Sequence, residues 1–161
     1  FLKSKNLELK MVKKKIYVEF LWNSLIYNKY GKTISIDEKL LILMNKNNIQ
    51  ELSDYIWTKD PNSFYGHGIN DGDGSKYASI WITDDISKNQ INANFVCSLD
   101  GLIPKVILNY KKLFKFYLDD DKTSISLARE FWEMCHNDEK YLCNHYYQND
   151  LNKWESTEFN Y

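Results

Sequence analysis

The spacing of apolar residues changes several times along the chain, and each change predicts an element. Apolar and polar residues alternate over residues 16–22, which predicts a β-strand, and residues 33–36 are typical of a returning strand. Ser35 and Glu38 form a capping box, so a helix is expected to begin there and to carry its apolar stripe through Leu40 to Met44.

The rest of the pattern predicts two further strands and four further helices. The strands cover residues 77–83 and 91–99, and helical spacing recurs at Ile49, Leu52 and Ile56, over 103–117, over 124–136 and after Asp138. Either Asp121 or Thr123 is expected to cap the helix over 124–136. This order predicts an α+β protein, with a mainly antiparallel sheet of about four to five strands and about five helices packed on it.

The expected domain is a single one over residues 11–161. Residues 1–10 precede Met11 and are rich in lysine, so we interpret them as a basic, leader-like segment outside the fold. The chain has 161 residues, of which 16% are aromatic, and this composition excludes a disordered protein. No apolar run approaches the roughly 20 residues of a membrane-spanning helix.

The charge is close to zero overall but unevenly distributed. The net charge is −1, and Arg129 is the only arginine, which argues against recognition of nucleic acid. Residues 1–16 are basic and residues 118–161 are acidic, so the two regions largely cancel. Because surface potential follows local charge, the acidic region favours a basic protein partner.

The cysteines do not suggest a secreted protein. Their odd number fits no disulfide framework, and no signal-peptide pattern is present, so the sequence predicts a cytoplasmic location. Four residues, Cys135, His136, Cys143 and His145, have the donor types of a zinc site but lack the usual spacing. We predict no metal and no cofactor, although the sequence leaves open whether this group or the Asp71/Asp73 pair holds an ion.

Residues 65–75 are rich in Gly and Asp and include His67, and the sequence predicts a loop here. The loop lacks the Gly-Lys-Ser/Thr ending of a phosphate-binding loop, and Lys76 stands where a calcium loop needs glycine. The sequence therefore contains no convincing catalytic motif, and we predict that the protein is not an enzyme. The alternative is a small hydrolase or metal-dependent enzyme that uses His67, Asp71 and Asp73.

Clusters of carboxylates beside aromatic residues are typical of a surface that binds a partner. The predicted partner-binding residues are Tyr65, His67, Asp71, Asp73, Trp81, Asp84, Asp85, Asp119, Asp120 and Asp121. A small Lys-, Asn- and Ile-rich protein with such clusters and no catalytic motif resembles bacterial immunity proteins of the contact-dependent growth inhibition type. The resemblance implies a protein that neutralises a toxin, with a basic, nuclease-like toxin domain as its partner. The oligomeric state stays open.

Overall fold

The computed structural model describes residues 2–4, 39–59, 66–70, 77–107, 110–118, 121–149, 151 and 154–157. The predicted strands over 16–22 and 33–36 lie outside these residues. In chain order, the elements are β1 (Leu2–Ser4), β2 (Leu40–Leu43), α1 (Lys46–Lys59), β3 (His67–Ile69), β4 (Ile80–Thr83), β5 (Phe95–Ser98), β6 (Lys112–Leu118), α2 (Lys122–His136), β7 (His145–Gln148) and β8 (Trp154–Thr157).

The strands form a sheet in the order β3-β4-β2-β5-β6-β1-β7-β8. Every neighbouring pair is parallel except β7 and β8, which run antiparallel. The prediction of an α+β fold with a mainly antiparallel sheet and about five helices was therefore wrong, since the described residues contain two helices and a mainly parallel sheet. β1 lies between β6 and β7, so part of the basic segment belongs to the sheet, whereas a domain boundary at residue 10 stays a prediction.

The central strands are buried on both faces, which explains the wrong fold class. All four residues of β2 are at most 1% exposed, and β4 is equally enclosed. A strand covered on both faces is a continuous apolar run without alternation, and it occurs mostly in parallel sheets. Over Leu40–Leu43 that run was interpreted as a helix, because its periodicity does not distinguish a buried strand from a buried helix.

Two apolar clusters cover the two faces of the sheet. On the first face, Ile49, Leu52 and Ile56 of α1 pack against Ile42 and Cys97, among others, which confirms the predicted helix. On the second face, Leu41, Leu43 and Val96 pack with Trp81. Side chains that are neighbours in a strand point to opposite faces, so the sheet is the middle layer of the fold.

The other predicted elements are confirmed in part. The strands over 77–83 and 91–99 are confirmed as β4 and β5, and the helix over 124–136 as α2, with Asp121 as its N-cap. The helix over 103–117 was wrong, because β6 occupies much of this range and buried Pro104 lies in the preceding loop. The helix after Asp138 was also wrong, because turns lead from there into β7.

One charged residue is buried within the sheet. Lys115 of β6 is 1% exposed and lies beside Ser98 of β5 on the second face. Its ammonium donates to the Ser98 hydroxyl at 3.3 Å, and that hydroxyl donates in turn to the Leu102 carbonyl. Removal from water lowers the pKa of Lys115 from 10.5 to about 8, although Cys97 and Asp100 oppose the shift.

Replacing this lysine should stabilise the protein near neutral pH. The pKa of Lys115 is lower in the folded chain than in the unfolded chain. Below about pH 8 the folded state therefore carries the full free-energy penalty of burying the charged ammonium, and it loses this penalty as the pH rises towards 10.5. At 1.36 kcal/mol per pKa unit, the penalty is at most about 3 kcal/mol. We expect Lys115→Met to raise the free energy of unfolding by about 1–3 kcal/mol at pH 7 and by less at pH 10.

Chemical denaturation at both pH values measures this difference. Exposed Lys112 of the same strand provides the control, since Lys112→Met should change stability little at either pH. If Lys115→Met is less stable than wild type at pH 7, the interactions of the ammonium stabilise the fold by more than its burial destabilises it.

Candidate functional site

The carboxyl ends of the parallel strands are the first place to look for a ligand. After β2 the chain builds β3 and β4 on one side, and β5 and β6 lie on the other. In open parallel sheets, ligands bind at such a switch point, in the crevice outside the carboxyl ends of the strands. In this protein the crevice lies between the ends of β2 and β5, next to the beginning of α1.

The side chain of Asp100 occupies this crevice. Its Oδ2 accepts from the backbone N–H of Asn45 at 3.1 Å and from the side-chain amide of Asn48 at 2.9 Å. The carboxylate therefore meets the positive end of α1, where backbone N–H groups lack partners within the helix. Asp100 and Gly101 have φ values of 51° and 83°, so a left-handed turn directs the chain back over the sheet. An internal carboxylate thus takes the position that a ligand anion has in related folds.

The neighbouring acidic pair after β4 serves mainly local structure. Asp85 accepts from the backbone N–H of Ser87 at 2.9 Å and pairs with Lys88 at 3.1 Å. These contacts, the Ser87 hydrogen bond first, lower the pKa of Asp85. Its backbone N–H donates to the hydroxyl of Thr83. Asp84 is exposed.

His67, predicted to bind a partner, lies on the end strand β3 and contacts α1. Its Nε2 is hydrogen-bonded to the hydroxyl of Ser53 at 2.8 Å, and its ring lies 4.6 Å from that of Trp57 at an angle of 44°. Ser53 is buried within α1, whereas the Trp57 side chain is 48% exposed. Neither Ser53 nor Trp57 was predicted as a site residue. The sequence does give one signal for Trp57, because it is a large aromatic residue near the end of a helix, where polar residues are expected.

A second cluster of rings joins α2 to β6 and β7. The Trp132 ring stacks on His136 at 5.7 Å and meets the edge of His145 at 6.3 Å, and His145 Nε2 is hydrogen-bonded to the Tyr117 hydroxyl at 2.9 Å. Tyr117 follows Phe116, which belongs to the α1 face, so α2 lies against the opposite face of the sheet.

The cysteines near this cluster are not arranged as metal ligands. Burial raises the pKa of Cys135 to about 11, and burial also raises that of Cys143, so both thiols stay protonated at neutral pH. Over the residues with described positions, no group of three or more His, Cys, Asp or Glu side chains could hold a metal ion.

The predicted partner-binding residues that the structure describes belong to different elements. Trp81, predicted as an aromatic anchor, is 1% exposed and belongs to the core. Asp121 caps α2 by accepting from the backbone N–H of Thr123 at 3.0 Å. Five of the predicted residues lie outside the described part of the chain: Tyr65, Asp71, Asp73, Asp119 and Asp120.

The fold places the chain among doubly wound α/β proteins. One solved structure with this likeness is a variant of the S. cerevisiae Dbp5 C-terminal domain bound to a Gle1 variant and IP6, with 12% identity, a TM-score of 0.50, and coverage of 86% of this chain and 85% of that one. None of the curated proteins matches the chain. Residues 23–141 match the family model described as DNA polymerase III chi subunit, HolC. The match covers well over half of the chain, which therefore belongs to this family.

Family membership decides several of the sequence-based predictions. The chi subunit is a non-catalytic accessory subunit of DNA polymerase III, so the prediction that the chain is not an enzyme is confirmed. The predicted cytoplasmic location is confirmed as well, because this polymerase works there. The resemblance to toxin-immunity proteins was wrong, and with it the neutralising function and the toxin domain as partner. None of the helices in the described part of the chain is long and apolar enough to cross a membrane.

The role of Asp100 at the crevice can be tested by stability. We expect Asp100→Ala to lower the free energy of unfolding by about 2 kcal/mol, because the Asn45 N–H and the Asn48 amide lose their acceptor and alanine is strained at a positive φ. Chemical denaturation measures the loss. Asp100→Asn is the matched control: asparagine tolerates the same φ and keeps an acceptor oxygen, so most of the stability should remain. Equal stability of the alanine variant and wild type would show that these two hydrogen bonds do not stabilise the fold.

Proposed function

We propose that this chain serves DNA polymerase III as a protein-binding subunit and that the exposed surface of α2 binds the single-stranded DNA-binding protein, SSB. Proteins of the chi family bind the psi subunit and SSB. The crevice where an α/β protein would hold a small ligand contains the chain's own Asp100. We therefore expect the partner-binding site on the protein's outer surface.

The observation that carries the proposal is where the exposed apolar side chains lie in the sequence. Of eight large hydrophobic residues that are exposed in the described part of the chain, five belong to residues 127–151. Isolated apolar residues on a surface are ordinary, whereas several on one side of an element favour an interaction site, and two of the five share one side of α2. The five are Leu127, Met134, Leu142, Tyr146 and Leu151.

Two of these residues define what we call the α2 patch, Leu127 and Met134. They are seven residues apart, hence on one side of the helix, and are 40% and 52% exposed. Ala128, Phe131 and Cys135 are the buried residues of the same helix. Exposed Glu130 lies three residues after Leu127 and four before Met134, hence beside both on the helix surface. Interfaces between separately stable proteins usually combine apolar and polar side chains.

A charge placed in the α2 patch should weaken the complex with SSB. We expect Met134→Glu to raise the dissociation constant by about tenfold or more, because the carboxylate would lose its water in the interface. Isothermal titration calorimetry with purified SSB measures the change. The protein should keep its fold, since Met134 is half exposed, and circular dichroism checks this.

Tyr77→Glu is the matched control. Tyr77 is another exposed apolar residue, 89% exposed, and precedes β4 on a different part of the molecule. The control should bind SSB like wild type. If Met134→Glu and Leu127→Glu both bind SSB with unchanged affinity, the α2 patch is not the SSB site.

A further inference from the structure

Three lysines lie where the central strands begin. Lys39 directly precedes β2, Lys112 is the first residue of β6, and Lys111 precedes it. Leu40, Phe95 and Lys112 are partners in the register of the sheet, so these parallel strands begin side by side. The three lysines therefore share one end of the sheet. Lys111 and Lys112 are exposed, and Lys39 is half-buried.

Asn94 lies between two of these lysines and fixes their backbones. Its side-chain oxygen accepts from the N–H of Lys39 at 3.3 Å, and its own N–H donates to the Lys39 carbonyl at 3.0 Å. Its carbonyl accepts from the N–H of Lys111 at 2.7 Å. Adjacent strands are about 4.8 Å apart, so the Cα atoms of Lys39 and Lys111 are separated by about 10 Å. At this separation, two long lysine side chains can reach phosphates of one DNA strand.

An exposed aromatic residue lies at the same end of the sheet. Tyr77 precedes β4 by three residues and is 89% exposed. The N–H of Leu40 donates to the Ser79 carbonyl at 2.9 Å, which joins the chain just after Tyr77 to the chain just after Lys39. Ala78 packs in the apolar cluster of the second face and holds this backbone on the core. The end of the sheet thus combines lysines with an aromatic ring that is open to solvent.

The opposite end of the sheet has the opposite charge. Asp84 and Asp85 follow β4, Asp100 follows β5, and Asp121 follows β6. By contrast, the described residues directly before β2, β4, β5 and β6 include no carboxylate. Because potential follows local charge, an anion is attracted to the end where the strands begin, although the net charge of the chain is −1.

We propose that this lysine end, made of Lys39, Tyr77, Lys111 and Lys112, binds single-stranded DNA without reading its sequence. Lysine contacts phosphate as a point charge, and phosphate contacts carry no sequence information, so the scarcity of arginine does not argue against this mode. A tyrosine ring can stack on any base, provided that the base is unpaired. A DNA polymerase copies a single-stranded template, which favours this occupant over other polyanions. The proposal goes beyond the binding of SSB and does not depend on it.

Fluorescence anisotropy with a labelled oligothymidylate of about 15 nucleotides tests the proposal. The assay uses the full chain and contains no SSB, so its result is independent of the proposed function. We expect binding at about 20 mM salt and a fall in affinity of roughly a hundredfold for each tenfold rise in salt, because three lysines each release about 0.7 counterion from a single strand. Absence of binding at low salt overturns the proposal.

Charge-removing variants test the location of the site. Lys39→Gln combined with Lys111→Gln should weaken binding at low salt by at least about tenfold and reduce the salt dependence to roughly fivefold for each tenfold rise. Lys105→Gln combined with Lys122→Gln is the matched control, because it removes two exposed lysines near the acidic end. The control should bind like wild type. Equal weakening by both pairs would show that only total charge matters and would overturn the assignment.

Variants of Tyr77 test the stacking. Tyr77→Ala should weaken binding by about fivefold or more without changing the salt dependence, since a base loses its stacking partner but no charge is removed. Tyr77→Phe keeps the ring and should bind like wild type. If the alanine variant also binds like wild type, the preference for single strands has no basis. Polyglutamate is the competitor that lacks bases, and displacement of the oligonucleotide by polyglutamate as effectively as by unlabelled oligothymidylate would identify the lysine end as a general polyanion surface instead.

Discussion

The double-sided burial of three central strands is the constraint on which the rest of the structure depends. β2, β4 and β5 lie side by side in parallel, and each buries apolar residues on both faces. Parallel neighbours need long crossover connections, and these cover the faces with helices and loops. α1 accordingly packs on one face, and α2 lies against the other. With both faces occupied, the described part of the chain offers partners its edges, its strand ends and the outer sides of its helices.

The strand ends are occupied by the chain itself. Asp100 fills the crevice between β2 and β5 and holds the first residues of α1, while Ser98 and Lys115 form a buried polar row behind it. The donors of Asn45, Asn48 and Lys115 would be natural contacts for a small anion, but here they are bonded to Asp100 and Ser98 of the same chain. The same positions that carry chemistry in many α/β enzymes therefore contribute to structure in this one, in agreement with a non-catalytic subunit.

Sequence patterns predicted the two helices, whose environment is one-sided, and the strands β4 and β5. The α1 and α2 helices each have a single buried side, so their apolar residues recur at helical spacing, and Asp121 marks the beginning of α2. Over Leu40–Leu43 the same reasoning failed, because a strand covered on two faces shows no alternation. Over Lys112–Leu118 it failed because Phe114 and Tyr117 continue a helical spacing from Ile103, although they belong to a strand. The contacts in the crevice could not be predicted from the sequence either. Asp100 accepts hydrogen bonds from Asn45 and Asn48, which lie more than fifty residues earlier, whereas the local sequence shows only an Asp-Gly turn.

The proposed SSB site follows from the geometry of a sheet that is closed at its faces. α2 lies against the face opposite α1, and Leu127 and Met134 are exposed residues of this helix. A partner at the α2 patch would therefore contact the exposed surface of a helix and leave the sheet undisturbed. Because a packed parallel sheet is rigid, it would hold α2 in a fixed orientation, and an accessory subunit of a polymerase can bind another protein in this way without any chemistry of its own.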